Sequence, residues 1–237
     1  MRDGGGAARR VVCVHGAGGG GWEWGIWARV LGAHGHAVLA EDLVAAEGGL
    51  AATRFADYRE QVLRWCAASP MPAVLVGASL GGLLALSAAA HAGVAALVLV
   101  NPLPPSGNAA RAAPWPELVP WARERSFAST RRALPDADDA ARFHAFRRWR
   151  DESGTVLNEA HAGVGADVPR CPMLVLASAH DGTVPPAASR TLAYRLGADF
   201  ELVADASHVG VLLGRRAARA AERVAGWLAA RLSAGAV

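Results

Sequence analysis

The run AVLVGASLGGLLALSAAA, which begins at Ala73, constrains the fold of this chain more than any other stretch. Its first part, Ala73–Gly77, is an apolar segment of strand length, and Ser79–Ala92 has the composition of a buried helix. Gly77 and Gly81 stand two residues on either side of Ser79, where larger side chains would collide with neighbouring backbone. The pattern predicts a sharp strand-to-helix turn that leaves the serine hydroxyl exposed.

Apolar runs of strand length and longer helical segments alternate along most of the chain. The other predicted strands are Val11–Val14, Ala37–Glu41, Ala95–Val100, Met173–Ala177 and Phe200–Ala204. The other predicted helices are Trp22–Gly35, Phe55–Ala68, Pro186–Leu196 and Arg215–Leu232. Alternation of this kind, with strands that are apolar throughout, predicts an α/β fold: a mostly parallel six-stranded sheet with helices on both faces.

The alternation is interrupted between Pro102 and Pro172 by a long segment without a convincing buried strand. Unstructured loops of that length are uncommon, so we predict a small helical lid over residues 103–170 and a core made of residues 1–102 and 171–237. The aromatic residues of this segment predict either an apolar pocket or contacts that attach the lid to the core: Trp115, Trp121, Phe127, Phe143, Phe146 and Trp149. For His144 and His161, a position in the pocket and a position in solvent both stay open.

An exposed serine is a useful nucleophile only if a base removes its proton and an acid orients that base. Asp181 follows a predicted strand in LVLASAHDGTVP, and His208 follows the last predicted strand in LVADASHVG. The order Ser79, Asp181, His208, with each residue at the carboxyl end of a strand, is the order found in hydrolases with this kind of sheet. His180 as the base and Asp205 as the acid are the weaker alternatives.

The stretch VVCVHGAGGGGWEW permits two interpretations. Gly16, Gly18 and Gly21 fit the G-x-G-x-x-G spacing of a dinucleotide-binding turn, and Glu41 or Asp42 lies where such a fold has its ribose-binding acid. The same glycines would also let a bare backbone approach the oxyanion of an acyl-transfer intermediate. Only the second interpretation accounts for the serine turn and for the acid and base downstream.

The stretch VHGAGGGGWEWGIWARVLGAHGHAVLAEDL, with the serine turn, resembles the methylesterase and hydroxynitrile-lyase-like branch of the α/β-hydrolases and its bacterial esterase relatives. The resemblance covers nearly the whole chain. It implies an oxyanion hole made by the backbone N–H groups of Ala17 and Leu80, and a structural role for His15. Lyase activity of that branch is disfavoured because Gly16 replaces its threonine and the chain contains no lysine.

These observations predict a serine hydrolase of small or medium carboxylic esters. The predicted catalytic residues are Ser79, Asp181 and His208, and the predicted substrate pocket includes Gly18, Trp121, His144 and Trp149. A thioesterase, a C–C hydrolase, a lactonase or cyclase, and a non-catalytic ligand-binding protein are the alternatives, because the triad does not fix the acyl group. We expect no cofactor and no metal.

Composition excludes several classes of partner. The net charge is only +3, and no dense basic run is interleaved with aromatic residues, so we expect no nucleic-acid binding. All 24 basic residues are arginines, which excludes Schiff-base chemistry on a lysine. No apolar run reaches the roughly 18 to 20 residues of a membrane span, and no secretory signal is evident, so we expect a cytoplasmic protein. A homodimer is expected from the resemblance alone.

Overall fold

Six parallel strands form the central sheet of the computed structural model, which describes residues 8–107 and 113–233. The strands of the chain are β1 (Arg10–Val14), β2 (Ala37–Leu39), β3 (Val74–Ala78), β4 (Ala96–Val100), β5 (Leu118–Val119), β6 (Glu152–Ser153), β7 (Met173–His180) and β8 (Asp199–Ser207). The order across the sheet is β2-β1-β3-β4-β7-β8. The predicted six-stranded parallel sheet is therefore confirmed.

Helices cover both faces of this sheet, as predicted. The α-helices are α1 (Gly25–Ala33), α2 (Phe55–Ala67), α3 (Leu80–Ala92), α4 (Phe127–Ala133), α5 (Asp139–Phe146), α6 (Gly154–Ala162), α7 (Pro186–Leu196), α8 (Gly210–Leu213) and α9 (Ala217–Ser233). Short 3-10 helices cover Gly21–Trp24 and Leu50–Ala52. No helix in the described ranges combines the length and the apolar character needed to cross a membrane.

Successive side chains of a buried strand point to opposite faces, and this alternation divides the core into two layers. Val12 and Val14 of β1 pack in the layer that includes residues of α2, α3 and α7. Val11 and Cys13 pack in the layer that includes residues of α1, α8 and α9. Because both sides of each central strand are buried, those strands are apolar throughout and carry no polar alternation.

The segment of residues 103–170, which we call the lid segment, contains α4, α5 and α6 and the two-residue strands β5 and β6, paired antiparallel. Strands this short leave no periodic pattern, so the sequence did not predict them. Residues 108–112 of the segment lie outside the described residues. The division of the chain into a core and a lid stays a prediction.

Candidate active site

Ser79 occupies a strained turn between β3 and α3. Its backbone has φ 54° and ψ −118°, a left-handed conformation that side chains rarely adopt. A Cβ added at Gly77 would overlap the carbonyl of Gly81, and one added at Gly81 would overlap the carbonyl groups of Val14 and His15. The two flanking glycines are therefore required for the chain to turn this sharply and present the serine.

Asp181 and His208 come together at the carboxyl ends of β7 and β8. The Asp181 Oδ2 lies 2.6 Å from His208 Nδ1, and the aspartate side chain is fully buried. The other carboxylate oxygen, Oδ1, accepts the N–H groups of Thr183 and Val184 at 2.7 and 2.8 Å. Because Asp181 holds the proton on Nδ1, the imidazole Nε2 is left as an acceptor.

Ser79 and His208 line one cavity. In the described part of the chain, no hydrogen bond joins the serine hydroxyl to the imidazole. Catalytic hydrogen bonds in ligand-free enzymes are often long and shorten when substrate binds. The arrangement brings a serine, a histidine and a buried aspartate to one edge of the sheet.

Asn101, the residue after β4, holds the backbone of His208 from across the intervening strand β7. Its Nδ2 donates to the His208 carbonyl and to Ser178 Oγ, both at 2.9 Å, and its Oδ1 accepts the Ser178 N–H at 2.7 Å. The residue has φ 44°, which asparagine tolerates better than most residues. The sequence does not predict this contact, because a partner 107 residues away leaves no local signal.

The loop from His15 to Gly21 passes over the serine turn. His15 is buried, its Nδ1 lies 2.8 Å from the Gly16 carbonyl, and its Nε2 accepts the Leu43 N–H at 2.9 Å. Burial lowers the pKa of His15 to about 4, so its imidazole is neutral near pH 7. Both ring nitrogens are engaged with backbone, which gives this histidine a structural position.

The backbone N–H groups of Ala17 and Leu80 make no hydrogen bond to an acceptor within the described ranges. Ala17 lines the cavity beside Ser79, and Leu80 is the first residue of α3. Two free donors beside a serine hydroxyl are the elements of an oxyanion hole.

Glu152 of β6 attaches this loop to the lid segment. Its Oε2 accepts the Gly18 N–H at 3.0 Å, and its Oε1 accepts the Tyr58 hydroxyl at 3.0 Å and the Ser153 N–H at 2.8 Å. The glutamate is only 3% exposed. Burial and the adjacent Glu152 raise the pKa of Tyr58, so the phenol keeps its proton and remains a donor.

Replacing Glu152 with Gln is expected to lower kcat by about 10²-fold, because the amide presents donors to groups that already donate and the loop loses its position. The same change should lower the free energy of unfolding by about 1–3 kcal/mol. Tyr58→Phe is the matched control, since it removes one hydrogen bond to Glu152 and leaves the bond to Gly18. Steady-state kinetics and thermal unfolding of both variants test this prediction. An equal loss of kcat in the two variants would contradict the claim that the bond from Glu152 to Gly18 positions the loop.

The cavity has a volume of about 550 Å³ and lies between the serine turn and the lid segment. Three of the four residues predicted for the substrate pocket, Gly18, Trp121 and Trp149, line it together with Trp115 and other residues. A Cβ added at Gly18 would come within 2.6 Å of the Trp121 ring. Only glycine at this position therefore allows the Trp121 ring to pack directly against the loop. His161 of α6 also lines the cavity, and its buried Nδ1 has no hydrogen-bond partner in the described residues.

His144 is not part of the cavity wall, contrary to the prediction. It is exposed on α5, and its ring meets that of Trp22 at a centroid distance of 5.5 Å. The α5 residue that packs inward is Ala145, which turns His144 to the outside. The phenylalanines also lie outside the cavity: Phe127 stacks on Phe143 at 4.3 Å and meets Phe146 edge-on at 5.9 Å, which joins α4 to α5.

The alternative site residues have other contacts. His180 is exposed, and Asp205 pairs with Arg216 at 2.7 Å on the surface. Asp42, the acid of the dinucleotide interpretation, accepts the Gly21 N–H at 2.8 Å and lies 3.3 Å from Arg150. Asp42 therefore fixes the position of the glycine-rich loop at Gly21.

Comparisons with known proteins agree with this fold. The family model described as "Alpha/beta hydrolase family" matches residues 11–225. No curated protein matches the chain.

Several solved structures share the fold over nearly their whole length. Tomato methylketone synthase I, complexed with 2-tridecanone, has a TM-score of 0.75 and 15% identity, with 95% of this chain and 99% of that chain covered. The methylesterase MES16 from Arabidopsis has a TM-score of 0.72 and 14% identity, with the same coverage. A pyrethroid hydrolase from Sphingobium faniae has a TM-score of 0.71 and 20% identity, with 97% and 99% covered.

Proposed function

Because the chain belongs to the alpha/beta hydrolase family, we propose that it is a serine hydrolase that cleaves small or medium carboxylic esters. The observation that carries the proposal is the 2.6 Å contact between Asp181 and His208 at the cavity that Ser79 lines. A buried acid that orients a histidine beside a serine on a strained turn is the arrangement that acyl transfer requires.

In the proposed mechanism, Ser79 Oγ attacks the carbonyl carbon of the ester while His208 Nε2 takes the serine proton. Asp181 keeps the imidazole oriented and stabilises the imidazolium that forms. The N–H groups of Ala17 and Leu80 donate to the oxyanion of the tetrahedral intermediate. His208 then passes its proton to the leaving alcohol, and water attacks the acyl-enzyme by the same steps to release the acid and restore the serine.

The residues that line the cavity support a substrate with an apolar acyl or alcohol group. Trp115, Trp121 and Trp149 line the cavity, together with Leu103 and Leu157. Large aromatic surfaces gain most from covering hydrocarbon. The methylketone synthase structure of the same fold was solved with 2-tridecanone, a long-chain ketone, and that likeness favours a chain-like substrate here as well.

Turnover on a graded panel tests this function. We expect hydrolysis of carboxylic esters with an optimum at intermediate acyl length, and slower hydrolysis of acyl thioesters of the same acids. A fluorophosphonate probe should label Ser79 with one equivalent, detected by peptide mass spectrometry. Thioesters preferred by a large factor would replace the ester assignment with a thioesterase, while tight binding without turnover would indicate a ligand-binding protein.

A further inference from the structure

Glu23 is an acid in the cavity wall that the proposed mechanism does not use. The residue is 3% exposed, and it lines the cavity that contains Ser79 and His208. Its Oε2 has no hydrogen-bond partner in the described residues. A buried polar group without a partner is costly, and at the wall of a cavity such a group is a candidate for contact with a ligand.

The loop above the serine is shaped around this carboxyl group. A Cβ added at Gly19 would overlap Glu23 Oε2, so only glycine at that position leaves room for the acid. Gly16 belongs to the same loop, and a Cβ added there would come within 3.2 Å of the Ser79 Cβ. Glu23 therefore lies against the short piece of backbone that itself contacts the nucleophile.

The carboxyl group is mainly neutral near pH 7. Burial is the largest effect and raises the pKa of Glu23 to about 8. The nearby backbone of Gly20 and Gly16 lowers this pKa, and the charge of Asp42 raises it. A neutral carboxyl has one O–H donor, which an ionised one lacks. Other titratable or charged groups line the same cavity or lie beside Asp42: His161, His208, Glu124, Arg125 and Arg150.

We propose that Glu23 is a specificity-determining residue that donates a hydrogen bond from its carboxyl O–H to a second oxygen of the substrate. The inference rests on the proposed function and narrows it. The preferred substrate is an ester that carries a hydroxyl, keto or ether oxygen near the scissile carbonyl, with the rest of its surface apolar. Such an oxygen can accept the single O–H of the neutral acid, and the tryptophans cover the hydrocarbon.

Ester pairs that differ by one atom test the assignment. The two esters of a pair have the same chain length and the same ethyl leaving group. In one of them, an ether oxygen replaces one methylene of the acyl chain, and the position of this oxygen differs from pair to pair. The quantity compared is the ratio of kcat/KM for the oxygen-containing ester to that for the plain ester. Because both values come from one protein sample, the ratio cancels any loss of folded enzyme.

For at least one oxygen position, we expect the ratio of the wild type at pH 7 to exceed that of Glu23→Leu by about tenfold, the value of one neutral hydrogen bond. Glu23→Gln keeps an N–H donor and should keep most of the preference. Above pH 8 the wild-type carboxyl loses its proton, so its ratio should fall between pH 7 and pH 9, while the ratio of the Gln variant stays constant.

Equal ratios in the wild type and both variants at every oxygen position would overturn the role of Glu23, as would a wild-type ratio that does not change across pH 8. A structural role would lower turnover of both esters together and leave the ratio unchanged. If the wild type hydrolyses plain esters, the proposed function stands whatever the ratios are. If it hydrolyses no ester at all, the proposed function fails, and the assignment of Glu23 to ester selection fails with it.

Discussion

Ser79→Ala is expected to lower kcat on any ester that the wild type cleaves by at least about 10⁴-fold, because the members of such a triad act as a unit. The variant keeps the cavity, the proposed oxyanion donors and the Asp181–His208 contact, so its KM should change little. Alanine has to adopt the same left-handed backbone as the serine, with φ 54°. The backbone strain is therefore present in both proteins, and their unfolding temperatures should be close.

Ser189→Ala is the matched control for this substitution. Ser189 is buried on α7, it does not line the cavity, and its Oγ has no hydrogen-bond partner in the described residues. Its removal should leave kcat within about twofold, as expected of a change that touches no catalytic contact. Burst kinetics and circular dichroism complete the comparison, and residual turnover near the wild-type rate in Ser79→Ala would disprove the mechanism.

Asp181→Asn should lower kcat by about 10⁴-fold through a change of imidazole tautomer. Two backbone N–H groups, from Thr183 and Val184, donate to Oδ1 and so hold the amide oxygen of the asparagine at that place. The amide NH₂ then takes the position of Oδ2 and faces His208 Nδ1. An NH₂ group only donates, so the proton moves to Nε2, and the imidazole can no longer accept the proton of Ser79.

Asp205→Asn separates this effect from a general loss of negative charge. Asp205 lies three residues before His208, and its ion pair with Arg216 is exposed, so the pair contributes little to stability. Its φ of 55° suits asparagine. We expect kcat within about twofold of the wild type, measured beside Asp181→Asn across pH 5 to 9. A large loss in Asp205→Asn together with a small one in Asp181→Asn would identify Asp205 as the acid.

Local sequence patterns predicted the parts of the molecule that depend on local physics. The strand and helix of the serine turn follow from the apolar run and from two glycines that relieve specific backbone collisions. Asp181 and His208 were found because each follows a strand, and the carboxyl ends of parallel strands meet at one edge of the sheet. The predicted strands fall within a few residues of their observed ends.

The contacts that the sequence did not predict join residues that are far apart along the chain. Glu152 and Gly18 are separated by 134 residues, and Asn101 and Ser178 by 77. Neither pair has a motif, because the first contact depends on how the lid segment packs on the core and the second on the pairing of β4 with β7. The error at His144 has the same origin: periodicity gives the faces of a short helix but does not say which face meets the core.

The contact between Glu152 and Gly18 bears on how new specificities are engineered in this protein. The Arg150 N–H also donates to the Gly18 carbonyl at 2.8 Å, so the loop from His15 to Gly21 has two hydrogen bonds to the lid segment, which also contributes tryptophans to the cavity wall. A chimaera that combines this core with the cap of another hydrolase would gain a new pocket but lose both anchors. We therefore expect that exchange of the lid segment would displace this loop, whereas substitutions that keep Glu152 and a backbone N–H at position 150 would leave it in place.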